Sequence, residues 1–305
     1  QRHMCIRDRY AAARINHFSG SFEMKWRQHT LLRSDKGNAV WPHHKKFPTF
    51  VIKPTTRKMR KIEVCCTSLA EAHEAQAGGA VRIELCSALA AGGITPSAGT
   101  IAAVARDKSL AIDVNVLIRA REGSFLYTGE EVDIMVRDIE LCRREGVHGV
   151  VIGALTAEGD IDIEACRRMV EAARGLSVTF HRAFDVCRDP HRALEQIIGL
   201  GCDRLLTSGQ QPSAAEGAPL IAKLVEQAAA RIIIMPGAGI RPDNIAAIEK
   251  TTRAAEFHST ARGPVTEDGM IYRNSRVTFA PDPSEEHLVR RTDRRVVSQL
   301  VNDVA

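Results

Sequence analysis

From Lys61 onward the chain alternates eight times between a short β-rich run and a longer amphipathic segment. Strands are predicted at 61–65, 81–85, 112–118, 149–152, 176–182, 203–207, 231–236 and 254–258, and helices at 68–77, 97–107, 130–145, 162–174, 190–200, 214–229, 242–250 and 285–303. The punctuation agrees: Thr67-Ser68 suits a helix start, Gly78-Gly79 a helix end, and Pro190, Pro219 and Pro242 fall in or near first turns. Eight strand–helix units in the 245 residues from 61 to 305 match a (β/α)8 TIM barrel in count and length. A doubly wound open sheet is the competing architecture. It usually has fewer strands and carries a glycine fingerprint after the first of them, where this chain has Cys66-Thr67-Ser68.

Charge divides the chain in two. Residues 1–61 hold fifteen Lys and Arg against three Asp and Glu, a net of +12; the remainder, with 27 basic and 34 acidic residues, carries −7. The acidic body gives no footprint for nucleic-acid binding. Residues 1–60 lack sustained periodicity, and the domain reading is a basic extension at 1–60 followed by the barrel at 61–305. The extension reads as disordered, or as upstream sequence ahead of a start at Met59; an Arg-rich targeting presequence and a nucleic-acid-binding arm are the alternatives. No apolar run approaches the ~18–20 residues that span a bilayer, so no membrane segment is predicted. The eight cysteines show no small-scaffold disulfide spacing, and several fall inside apolar patterns, which points to reduced thiols in a cytosolic protein.

Function in such a barrel sits where strands end, and here those ends are polar. Ile62-Glu63-Val64-Cys65 and Ile83-Glu84-Leu85-Cys86 repeat one alternation, and Ala255-Glu256-Phe257-His258 repeats it again. Period two puts Glu and Cys or His on one face. If the barrel closes, strands one, two and eight are neighbours. Glu63, Glu84 and Glu256 are candidate acids or bases, His181 a proton shuttle, and Asp185 and His258 further candidates. His181 reads equally as a satisfied core histidine, and Asp185 as a cap. Arg119 can grip an anion, or neutralise Glu63 or Glu84. Ser208-Gly209 follows strand six. Gly237 and Gly239 follow strand seven ahead of Arg241, and Ser259 follows strand eight with Arg262 nearby. Together they suit an anion held by backbone amides at a helix start, although a tight turn needs glycine too. Cys65 and Cys86 suit a soft ion such as Cu(I), or serve as small buried hydrophobes. No Lys stands at an interior strand end, which argues against Schiff-base chemistry.

In family order, the segments Glu63-Val-Cys65, Arg82-Ile-Glu-Leu-Cys86, Gly92-Gly-Ile-Thr-Pro-Ser97, Ile118-Arg-Ala-Arg-Glu-Gly123, Val178-Thr-Phe-His-Arg-Ala-Phe-Asp185, Leu206-Thr-Ser-Gly209, Met235-Pro-Gly-Ala-Gly239, Glu256-Phe-His258 and Tyr272-Arg-Asn274 resemble the CutC copper homeostasis family. The family commonly has Arg-Pro-Arg where this chain has Arg119-Ala120-Arg121. The resemblance implies a cytoplasmic TIM barrel, a homo-oligomer (dimer or tetramer), and a part in intracellular copper handling with Cys65 and Cys86 as Cu(I) ligands. Two functions are therefore expected to compete. One is a copper-binding protein of the CutC type. The other is an enzyme acting on a small anionic or phosphorylated metabolite through the Glu, His and Arg cluster.

Overall fold

The computed structural model describes residues 60–304 apart from 275 and 281; the reading of the basic extension falls almost wholly outside them. Eight parallel strands alternate with helices: β1 (Lys61–Cys66), α1 (Leu69–Ala77), β2 (Arg82–Leu85), α2 (Ala98–Ala105), β3 (Asp113–Leu117), α3 (Gly129–Glu145), β4 (Gly149–Ile152), α4 (Ile163–Ala172), β5 (Ser177–Phe180), α5 (Pro190–Leu200), β6 (Arg204–Thr207), α6 (Ala218–Ala228), β7 (Ile233–Pro236), α7 (Ile245–Thr252) and β8 (Glu256–Ser259). A short antiparallel pair, β9 (Thr266–Glu267) with β10 (Leu288–Val289), precedes the last helix, α8 (Arg294–Asp303). The ladder runs β8-β1-β2-β3-β4-β5-β6-β7. The sheet curls until β7 and β8 stand side by side, so that a Cβ on Gly237 would lie 3.4 Å from the His258 Cβ. This is the (β/α)8 barrel.

The helices form where local chemistry starts and stops them. Ser68 accepts from the Glu71 N–H at the start of α1, and Gly78 ends it. Thr128 and Glu131 make a reciprocal capping box for α3. Several boundaries differ from expectation, and three of the differences bear on the loops at the strand ends or on the last helix. β5 stops at Phe180 because the His181 side chain accepts from the Ala183 N–H and turns the chain into a 3-10 segment, Arg182–Val186. α7 starts at Ile245, since the Asn244 side chain bonds the Gly239 carbonyl and the Arg241 N–H and holds 239–244 as a loop. α8 starts at Arg294, and residues 288–289 of its expected first half are a strand.

The two faces of the barrel wall are chemically different. Outward residues such as Ile62, Val64, Ile83, Leu85, Val116, Ile152, Phe180, Leu205 and Phe257 pack under the helices as the apolar core. The lumen is charged. Arg82 lies between Glu63 and Glu256, donating through Nη2 to Glu256 at 2.6 Å, and Arg204 donates to the same Glu256 oxygen at 2.8 Å. Buried charges require partners, and these strands supply them from one to the next. Of the two readings of Arg119, the one in which it neutralises Glu63 or Glu84 is not met: Arg82 pairs with Glu63 and Glu256, and Arg204 with Glu256.

Candidate functional site

Strand register decides which of the repeated residues meet. Glu63 lies opposite Arg82 on β2 and opposite His258 on β8, while Cys65 lies opposite Glu84. Equivalent positions of the three Glu-x-Cys or Glu-x-His copies are therefore staggered by two residues per strand, as strand tilt in a closed barrel demands. Glu256 sits low in the lumen, paired with arginines. Above it His258 bridges two carboxylates, with Nδ1 2.7 Å from Glu63 Oε1 and Nε2 3.6 Å from Glu84 Oε2. At the top the Cys65 and Cys86 sulfurs stand 3.3 Å apart. One donor atom each from Cys65, Glu84 and His258 lie within 4.8 Å of one another, and all three residues are buried.

The surroundings set the protonation of this column. Burial would raise the Glu63 carboxyl, but Arg82 and His258 outweigh it and hold it at about 2. Burial likewise works to raise Glu256, and its two arginines lower it. Glu84 has no such partner: burial raises it, and Glu63 adds to the rise against the opposing His258. His258 is raised because the Glu63 hydrogen bond and the Glu84 charge overcome burial. The Cys65 thiol is raised by its hydrogen bond with Cys86, by burial and by Glu84. A carboxylate on one imidazole nitrogen, with the other facing a donor cluster, is the arrangement that orients histidine toward a metal.

The donor set fits a soft ion. Two sulfurs approach closer than they would across a bound metal and farther than in a disulfide, so modest side-chain rotation admits an ion. Ligation requires thiolates and a neutral imidazole, so loading must release the proton that Cys65 holds.

The column forms one corner of a cavity of about 380 Å³ at the carboxyl ends of the strands. Arg119, His181, Gly239, Arg241 and Ser259 also line it. Other expected residues are engaged elsewhere. Asp185 accepts from the Ser208 N–H and from the Thr207 hydroxyl and so organises the loop after β6. The Gly209 N–H donates to Thr207 Oγ1, and the Gly237 N–H to the Thr207 carbonyl. The Ser259 hydroxyl donates to Ile240 and accepts from Ala261. Arg262 pairs with Glu71. With α7 starting at Ile245, no helix start stands behind the Gly237–Gly239 loop. Arg82 and Arg204 were missed as members of the site's support. Their signal was present, since Arg82 shares a strand face with Glu84 and Cys86 at two-residue spacing.

A TIM barrel with a thiol, carboxylate and imidazole cluster inside its strand ends defines the class. The CutC family model matches residues 60–263, and the chain belongs to that family. A CutC family protein from Parabacteroides distasonis is 54% identical over 243 residues, covering 79% of this chain and 99% of its own. One from Bacteroides thetaiotaomicron is 50% identical over 245 residues, covering 80% and 98%. Among solved structures, CutC from Streptococcus agalactiae, a protein named for copper homeostasis, superposes with a TM-score of 0.64 at 35% identity, covering 66% of this chain and 99% of its own.

Proposed function

We propose that this protein takes part in intracellular copper handling and binds Cu(I) as cargo between Cys65 and Cys86. One observation carries the reading: two buried sulfurs 3.3 Å apart, with the Glu84 and His258 donors beside Cys65. Soft thiolates select Cu(I) over harder ions. The family name and the S. agalactiae relative support it. Arg82 holds Glu63 and Glu63 holds His258, so the third donor is aimed before the ion arrives. The reading includes a homo-oligomer, dimer or tetramer, in the cytoplasm. Seven free, buried cysteines among the described residues support a reducing compartment, and no described helix is long and apolar enough to cross a membrane.

Titration of the reduced protein with Cu(I) against a competing chelator tests it. Cys65→Ser with Cys86→Ser should abolish competition with the chelator. Glu63→Gln keeps both thiols but removes the carboxylate that orients His258, and should weaken binding by about 10–100-fold. Unchanged affinity in the double Cys variant would remove copper from this site.

A further inference from the structure

The cavity beside the thiols carries a positive charge with no carboxylate to balance it. Arg119 is 5% exposed. Its Nη1 donates to the Ala91 carbonyl at 3.0 Å and the Gly93 carbonyl at 2.8 Å, its Nη2 donates to Gly123 at 2.7 Å, and the guanidinium lies 5.0 Å from the Phe125 ring centre. Three carbonyls satisfy part of the guanidinium but not its charge, and its buried Nε–H has no partner. Among the described residues no carboxylate lies within 4.0 Å of it, whereas the rim cations Arg182 and Arg241 are paired with Asp185 and Asp243. A buried, unpaired cation is costly unless something that enters the cavity completes it.

A second group in the same cavity asks for an acceptor. His181 is 4% exposed, and its Nδ1 accepts from the Ala183 N–H at 3.1 Å. In the neutral ring the proton must then sit on Nε2, and that buried Nε2 has no partner. Gly153 makes room for the ring, since a Cβ there would lie 2.5 Å from it. Ala238 and Gly239, both in the left-handed region at φ 74° and 72°, form the facing wall.

We propose that this cavity binds a small organic anion, a carboxylate- or phosphate-bearing molecule, whose charged oxygen accepts from the His181 Nε2–H and balances Arg119 while its remainder extends toward Cys65, Glu84 and His258. The volume is at the small end of the range for ligand sites, about 300–1,000 Å³, and suits a metabolite, not a polymer. The site stands apart from the copper reading, because neither His181 nor Arg119 belongs to the donor cluster.

The full-length, metal-free protein is titrated calorimetrically at constant ionic strength with inorganic phosphate and, separately, with succinate. One equivalent per chain of at least one anion should bind, with an affinity in the millimolar range or tighter, and the preferred anion tells phosphate from carboxylate. His181→Phe keeps an aromatic ring against Phe125 but loses the donor, and should weaken binding at least about tenfold, a loss of about 1.4 kcal/mol. Arg119→Met should do the same; if it fails to fold, His181→Phe decides alone. No saturable binding of either anion up to about 50 mM, or binding undiminished in His181→Phe, overturns the proposal. Retained anion binding in the Cys65→Ser, Cys86→Ser protein keeps the outcome separate from that for copper.

Discussion

His181 is held neutral by where it sits. Burial and the neighbouring Arg119 charge pull its pKa from 6.5 down to about 3. The unfolded chain therefore binds a proton between those values that the folded chain refuses. Stability is full above about pH 6.5 and falls as pH drops toward 3, at up to about 1.4 kcal/mol per pH unit. His258 has the opposite sign, because its pKa is raised: its contribution is present below 6.5 and is lost as pH climbs through the folded value. Glu63, held at about 2 from an ordinary 4.5, adds its own loss only in more acid solution. Comparison with His181→Phe cancels these common terms. Between pH 7 and pH 5 in denaturant titrations, the wild type should lose about 2 kcal/mol more than the variant. Parallel losses in the two proteins would mean that His181 is charged in the fold. The sequence singled out His181 from its strand position, but its tautomer depends on the Ala183 amide, which only the turn after β5 reveals.

At the scale of elements, β8, β1 and β2 are joined through the lumen as well as through their ladders. Arg82 on β2 reaches Glu63 on β1 and Glu256 on β8. Removing one partner of a buried ionic group costs far more than the group contributes, because the remaining charge stays buried. Arg82→Met should therefore destabilise the protein by about 3–5 kcal/mol, read as a lowered denaturant midpoint with an unchanged slope. A loss below about 1 kcal/mol would mean that water or Arg204 compensates the carboxylates. Alternation made the faces of these strands legible, so Glu63, Cys65, Glu84, Cys86, Glu256 and His258 were all placed in the lumen from sequence. The stagger was not legible. It arises from strand tilt in the closed barrel, a property of all eight strands together, and it sets Glu256, Glu63 and Glu84 at successive levels. Arg119 stayed open between an anion grip and a partner for Glu63 or Glu84 for a related reason. Its partners are the carbonyls of Ala91, Gly93 and Gly123, and no side-chain pattern announces which loop carbonyls will converge.

For the molecule as a whole, the repeating strand–helix rhythm was sufficient to name the barrel, since each unit carries its own period and its own caps. What the rhythm could not say is where the self-sufficient fold starts. The structure bears on that at β1. The Lys61 N–H donates to the Ala255 carbonyl, and Arg60 pairs with Glu249 in α7 at 2.5 Å. Among the described residues, the pairs of the eight-stranded ladder all lie at residue 61 or later. A chain beginning at Met59 should then melt within about 2 °C of the full chain at physiological ionic strength, which bounds the difference at roughly 1 kcal/mol for a domain of this size. Its Cu(I) affinity should be unchanged as well, because no described donor precedes Cys65. Differential scanning calorimetry of both chains measures the first and chelator competition the second. A melting point lower by about 5 °C or more would make the basic segment part of the folded unit and move the domain boundary ahead of residue 61.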